Sequence, residues 1–496
     1  MGMVRGGSVG HAEGRRHRSR RRFAEGRALR RGIFTRPVGR ERAVVKLASY
    51  FVETWGCQMN VLDSQHLEGV LQHRGLAPSS DPENADVVLL NTCSVREKAV
   101  QKVLSRLGEL QQMRQRVGTP KVVGLCGCVA EQEGARLLAR SRVLSFVLGP
   151  GKFRRLPELL DEVEAGGRPV VQGFAGDQRD YDFDLIVRPK GARQLVTAIH
   201  GCNQHCTFCV VPYTRGKEVS RPLSAIVAEV QRLVENGAKE ITLLGQTINA
   251  YRCPESGADL ADLLAAVGAV DGLWRLQFIT SHPAFFTPRL IEALVRVPRL
   301  GSYLHVPLQA GSDRILRRMH RRYTSQQYRE LIAAIRAAAP SLTLSSDVIV
   351  GFPGESEEDF AETLRLVEEL RFGQLYGFIY SPRPRTPASR YPGAVPREVA
   401  GERLGRLFQM QGEIQLALNQ SLIGSTVEIL MDGPAKRGAL WQGRGADNRV
   451  VNVPPWDGIA EGQLATVTIV GATAHALFGE RPATPPASAP TPGQPG

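Results

Sequence analysis

The chain has 496 residues, of which 42% are hydrophobic and 23% charged, with a formal net charge of +14. That length exceeds one ordinary core and points to about three domains. No apolar run approaches the roughly 20 residues a bilayer-spanning helix needs, so a membrane protein is excluded and a cytoplasmic one expected. The charge is unevenly spread: residues 1–42 hold 13 arginines and three acids, leaving an excess of four positive charges on the other 454 residues. Overall charge therefore does not by itself mark a nucleic-acid-binding protein.

In chain order, residues 1–45 are expected to form a disordered Arg-rich extension, because so little apolar surface cannot offset the entropy of ordering. Three readings stay open for it: an arm gripping RNA phosphates, an organellar targeting peptide, or a leader translated from an early start codon. No apolar segment follows the arginines, so a secretory signal is excluded. From residue 46 to about 165, strand-like runs at 47–52, 86–91, 121–125 and 143–148 alternate with helical patterns at 64–73 and from 93 to about 115. Such alternation predicts a parallel sheet with helices on both faces. Cys57, Cys93 and Cys128 each fall just past a predicted strand. In an open parallel sheet those ends share the edge where ligands bind.

A Gly- and charge-rich linker covers about 165–190. Over 188–420, strands are expected at 195–200, 240–244, 275–280, 302–307, 343–350 and 374–380, separated by amphipathic segments such as 224–235 and 358–370. Apolar residues at 226, 227, 230, 233 and 234 follow the helical period, and Ser356 before Glu357 and Glu358 reads as a helix cap. Six strand–helix units suit an open, partial barrel with its site on the carboxyl-terminal rim. Residues 421–481 change to short strands at 426–430, 449–453 and 464–470 between Gly-rich turns, predicting a small all-β barrel of a format often used on RNA. Residues 482–496, rich in Pro, Ala and Thr, read as a disordered tail. The fold class is thus α/β: an N-terminal parallel α/β domain, a central partial (β/α)6 barrel and a C-terminal OB-like β-barrel.

Seven of the eight cysteines lie in two groups, which favours metal or redox chemistry over a disulfide framework. Cys202-Asn-Gln-His-Cys206-Thr-Phe-Cys209 follows the first strand of the central barrel. Three thiolates on one loop can hold three irons of a [4Fe–4S] cluster and leave the fourth open to a chelating small molecule. The competing reading is a zinc site closed by His200 or His205, but zinc ligands usually come in pairs across a longer spacer. An additional thiol, Cys126, stands two residues before Cys128. Cys253, alone before Pro254, reads as a spare thiol.

This loop, its position and the six strand–helix units resemble the radical S-adenosylmethionine (SAM) superfamily. More narrowly, Thr54-Trp-Gly-Cys-Gln-Met-Asn60, Asn91-Thr-Cys-Ser-Val-Arg96 and Gly127-Cys-Val-Ala130 resemble the amino-terminal domain of its methylthiotransferases. Val211-Pro-Tyr-Thr-Arg-Gly-Lys217, Thr242-Leu-Leu-Gly-Gln246, Pro307-Leu-Gln-Ala-Gly-Ser312 and Asp347-Val-Ile-Val-Gly-Phe-Pro-Gly-Glu355 are similar to motifs of the same family, and the terminal β-barrel resembles its TRAM domain. Cys57-Gln-Met-Asn60 resembles the branch acting on dimethylallyl-adenosine in tRNA; the alternatives are threonylcarbamoyl-adenosine in tRNA and a ribosomal protein.

The resemblance implies two [4Fe–4S] clusters, one on Cys202, Cys206 and Cys209 that binds SAM, the other on Cys57, Cys93 and Cys128. It implies a radical that abstracts hydrogen from carbon 2 of the adenine, sulfur insertion, and methyl transfer from a second SAM. Gly245, Gln246, Gln309, Asp347 and Gly351 are the expected SAM contacts. Arg317, Arg318, Arg321 and Arg322, in the densest basic run outside the extension, are expected to meet tRNA phosphates. The implied partners are the anticodon loop of tRNA and an electron donor such as flavodoxin or ferredoxin, with the chain acting as a monomer and no membrane involved.

Overall fold

The computed structural model describes residues 46–94, 99–173, 185–188, 191–436 and 438–482. The expected Arg-rich extension, residues 174–184 of the expected linker and the tail from 483 onward lie outside them.

The first domain is a six-stranded parallel sheet. Its strands are β1 (Ser49–Trp55), β2 (Ala77–Pro78), β3 (Val87–Thr92), β4 (Val122–Gly127), β5 (Phe146–Leu148) and β6 (Val170–Val171), in the order β2-β1-β3-β4-β5-β6. The two edge strands, each two residues long, are too short to show a sequence pattern, which is why only four strands are predicted. Among the described residues, helices α1 (Gln58–His73), α2 (Ala99–Val117), α3 (Cys128–Arg140) and α4 (Leu156–Glu164) accompany it. All six residues of β3 are buried, as the uninterrupted apolar run requires for a strand covered on both faces. Alternation sorts them: Val87 and Leu89 join one core with Phe146 and Phe153, while Val88 and Leu90 join another with Leu107 and Leu137.

The central domain brings β7 (Arg193–Thr197), a hairpin of β8 (Ile199–His200) and β9 (Val219–Ser220), then β10 (Glu240–Leu244), β11 (Arg275–Phe278), β12 (Tyr303–His305), β13 (Thr343–Val350) and β14 (Gln374–Ile379). The strand expected over 195–200 is broken: its last two residues leave the barrel and pair antiparallel with β9, bracketing the cysteine loop. β7, β10 and β11 form one parallel sheet and β12, β13 and β14 another. A parallel bridge from Leu276 of β11 to Leu300 ties the first sheet to the segment leading into β12. No ladder joins β14 to β7 among the described residues, so the barrel is open there. The helices are α5 (Val211–Thr214), α6 (Leu223–Glu235), α7 (Leu260–Gly268), α8 (Pro288–Arg296), α9 (Asp313–Arg318), α10 (Ser325–Ala338), α11 (Glu357–Leu370) and α12 (Arg397–Gln420). Ser356 caps α11 in a reciprocal box with Asp359, and Ile226, Val230 and Leu233 of α6 are buried.

The third domain is a closed barrel of β15 (Thr426–Pro434), β16 (Trp441–Arg444), β17 (Val450–Val453), β18 (Leu464–Ala472) and β19 (Leu477–Glu480), filled by Ile429, Met431, Val451, Val453, Val467, Ile469 and Leu477. It docks on the amino-terminal ends of the central strands. There Lys239 Nζ donates to Gly462 O at 2.9 Å, Trp274 Nε1 to Glu428 Oε1 at 2.7 Å and Gln277 Nε2 to Ala446 O at 3.2 Å. Among the described residues no helix is long and apolar enough to cross a membrane.

Candidate active site

Cys57 caps the amino terminus of α1, directly after β1, and Cys128 is the first residue of α3, directly after β4. Helix starts favour the thiolate. Gly127 makes the second turn possible: its φ is +83°, and a Cβ there would lie 2.3 Å from Asn91 Oδ1. Two buried amides bring Cys57 and Cys93 together. Asn91 Nδ2 donates to Asn60 O and to Ser64 Oγ, both at 2.8 Å, and Asn60 Nδ2 returns a bond to Asn91 Oδ1 at 3.3 Å. Asn60 Oδ1 in turn accepts from Cys57 Sγ at 3.2 Å. Hydrogen bonding with Cys93, helped by the charge of Arg215, holds the Cys57 thiol down at about 6, whereas burial pushes Cys128 up.

The second group lies on the loop between β8 and α5. Gly201, with φ +77°, turns the chain into it; a Cβ there would lie 2.1 Å from Lys217 O. Cys202 Sγ accepts from Gln204 N at 3.3 Å and lies 3.3 Å from Thr247 Oγ1. Arg321 Nη1 donates to Cys206 Sγ at 3.3 Å. Burial raises the Cys202 thiol and pushes Cys209 to about 12. His200, the last residue of β8, meets Arg215. Its Nε2 faces Arg215 Nη1 at 3.4 Å, and burial with that neighbouring charge pushes the ring down to about 3, leaving it neutral.

Both groups face one cavity of about 380 Å³. Cys57, Cys93, Cys128, Cys202, Cys206 and Cys209 all line it, together with Gly245, Gln246, Gln309 and Asp347. Gln246 Oε1 is buried there without a partner among the described residues. Cys209, Gln309 and Asp347 also line a second hollow of about 510 Å³, which runs past Phe208 and Ile349 to Phe378 and Tyr380 at the open edge of the barrel.

Two sets of expected residues part company. Gly351 does not line the six-cysteine cavity: at φ +71° it turns the chain beyond β13, and its N–H donates to Glu355 Oε2 at 2.6 Å. The four arginines do not share a face. Arg317 and Arg322 are exposed, but Arg318 donates to Pro353 O at 3.1 Å and lies over the Tyr391 ring, and Arg321 turns inward to Cys206. Charge density in the sequence does not reveal which way a six-residue helix and its trailing loop aim each side chain. Cys126 is fully buried in the hydrophobic core with Phe146 and Leu148, whereas Cys128 reaches the cavity. Asn60, Asn91 and Arg215 belong to motifs quoted above, yet nothing in the sequence pairs them across the fold.

An open barrel of six parallel strands with a three-cysteine loop on its rim defines the class: residues 196–367 match the radical SAM superfamily, and residues 49–149 match an uncharacterized protein family, UPF0004. SAM and a [4Fe–4S] cluster accompany that superfamily. Among curated proteins the chain is 43% identical over 436 residues to the tRNA-2-methylthio-N(6)-dimethylallyladenosine synthase of Acidovorax sp. (strain JS42), spanning 87% of this chain and 96% of that protein. Identity is 43% over 435 residues to the synthase of the same name from Stutzerimonas stutzeri (strain A1501), spanning 86% and 98%. For that of Verminephrobacter eiseniae (strain EF01-2) it is 44% over 441 residues, spanning 87% and 96%. Among solved structures, the radical SAM methyltransferase TsrM from Kitasatospora setae, with cobalamin and a [4Fe–4S] cluster bound, superposes with a TM-score of 0.52 at 15% identity, over 69% of this chain and 74% of that one; this likeness concerns the fold alone. The chain belongs to the family of the tRNA-2-methylthio-N(6)-dimethylallyladenosine synthases.

Proposed function

We propose that the chain methylthiolates carbon 2 of N6-(dimethylallyl)adenosine in the anticodon loop of tRNA. The supporting observation is the single cavity lined by six cysteines from two domains. In this reading Cys202, Cys206 and Cys209 hold the cluster that binds SAM, and Cys57, Cys93 and Cys128 hold a second cluster. The donor set fits: each group offers three thiols, so each cluster keeps one iron for an external ligand. When bound, SAM supplies a 5′-deoxyadenosyl radical and a methyl group, and the second cluster carries sulfur.

The chain's own residues position and shield. Gly245 lets the rim backbone pack against the barrel core, since a Cβ there would lie 2.2 Å from Ile199 Cγ2. The buried Gln246 oxygen would accept a hydrogen bond from the amine end of SAM, with Gln309 and Asp347 lining the same cavity. Walls from both domains keep water from a radical that must meet sulfur first. A splayed adenine enters past Phe208 and Phe378, whose faces suit stacking. The C-terminal barrel and the exposed Arg317 and Arg322 contact the tRNA backbone. A monomer in the cytoplasm taking electrons from a flavodoxin- or ferredoxin-type donor completes the reading.

The test is anaerobic reconstitution followed by assay with SAM, reductant and tRNA with or without the dimethylallyl group, with nucleosides resolved by mass spectrometry. A methylthio nucleoside from the dimethylallyl tRNA alone is expected. Product from threonylcarbamoyl tRNA instead, or from neither, refutes the assignment.

A further inference from the structure

Arg215 sits where the two cysteine groups meet and belongs to neither. It follows Cys209 by six residues, at the carboxyl end of α5 in the central domain, and its side chain is only 3% exposed. Its Nη2 donates at 2.5 Å to Asp63 Oδ2, which is fully buried on α1 of the first domain, six residues after Cys57. Its Nη1 lies 3.4 Å from His200 Nε2, two residues before Cys202. An arginine only donates, so the neutral His200 ring accepts through Nε2. The guanidinium is thereby gripped from both domains, and it lines the cavity beside Cys57, Cys93 and Cys128.

The placement is costly as a stability device. A buried ion pair must overcome the desolvation of two charges, and well-packed apolar groups of the same volume often serve stability as well or better. An arginine keeps its proton in proteins, so the buried guanidinium beside Asp63 is a permanent positive charge. A fixed positive charge within reach of thiolate sulfurs favours the more negative, reduced state of whatever iron–sulfur group those sulfurs hold. The two anchors of the Arg215 guanidinium, Asp63 and His200, come from segments that flank the two cysteine groups.

We propose that Arg215 is a positioning residue: clamped by Asp63 and His200, it holds its charge against Cys57 and Cys128 and raises the reduction potential of the cluster on that triad. The proposal rests on the two-cluster reading above. It is tested in the full-length chain with Cys202, Cys206 and Cys209 replaced by Ala, so that only the first-domain cluster is loaded. Its midpoint potential is measured by dithionite titration followed by electron paramagnetic resonance. Arg215→Met is expected to weaken one-electron reduction at least tenfold, a fall of about 59 mV, and Arg215→Lys to recover most of it. A potential unchanged in Arg215→Met at full iron content overturns the proposal. Where Arg215→Met takes up no iron, Arg215→Gln decides, since it keeps a donor toward Asp63 but drops the charge: a lowered potential supports the role and a parental one overturns it. If the parent Ala-substituted chain itself takes up no iron, the two-cluster reading has failed instead.

Discussion

Replacing Arg275 by Met is expected to loosen the C-terminal barrel without touching the cysteine cavity. Arg275 is 4% exposed at the start of β11 and pairs with Glu240, 9% exposed, at 3.1 Å. It also donates to the carbonyls of Arg444, at 3.3 and 3.4 Å, and of Gly445, both on the C-terminal barrel. Removing one partner of a buried pair typically costs about 3–5 kcal/mol. Arg193 remains 3.2 Å from Glu240 and keeps part of the pairing, so the expected cost is about 2–3 kcal/mol, or roughly 30- to 150-fold in the docking equilibrium. Burial pulls the Arg275 guanidinium down to about 10, so the folded chain bears its charge at a cost. Arg275→Met with Glu240→Gln is therefore expected to be milder than Arg275→Met alone. Amide hydrogen exchange over residues 441–446 and 462–463 reads the docking, tRNA affinity reads its consequence, and iron content is expected to stay at the parental value. Unchanged exchange in Arg275→Met, or a double variant worse than the single one, refutes this reasoning.

Asp359 accepts from Ser312 Oγ at 2.6 Å and pairs with Arg314; although burial alone would raise it, these partners hold its carboxyl at about 2. Its stabilising effect is present above the unfolded value near 4 and is lost as pH falls through about 2, so Asp359→Asn is expected to cost about 2–3 kcal/mol at neutral pH and almost nothing near pH 2, measured by denaturant unfolding. In the metal-free chain, Cys57 is expected to be alkylated by iodoacetamide at a rate rising through about pH 6, while the buried Cys126 stays unmodified in peptide maps; equal labelling of the two thiols contradicts the placement. Gly201→Ala forces a side chain into a left-handed turn against Lys217 O. It is expected to abolish SAM cleavage while iron on the first-domain triad is retained, and intact cleavage contradicts the strained-turn account.

Much of this arrangement was legible in the sequence because it is carried by local period and spacing. Cysteines just past parallel strands had to share one sheet edge, and the C-x3-C-x2-C loop had to sit on the barrel rim. Two-residue edge strands such as β2 and β6 carry no such pattern, and the hairpin of β8 with β9 hides inside what reads as one continuous strand. The residues that join the two cysteine groups were illegible for a different reason. Arg215 and Asp63 lie 152 positions apart, and Asn60 meets Asn91 only once β1 and β3 pair in register. Arg321 shows the converse error: a basic residue in a basic run reads as solvent-facing until the fold turns it onto Cys206.

The iron content of the reconstituted chain, measured together with product formation, decides between one cluster and two. The wild-type chain is expected to hold about eight irons, and the chain with Cys57, Cys93 and Cys128 replaced by Ala about four, still cleaving SAM but forming no methylthio nucleoside. About four irons in the wild type, or undiminished methylthiolation by the triple variant, would contradict the two-cluster reading.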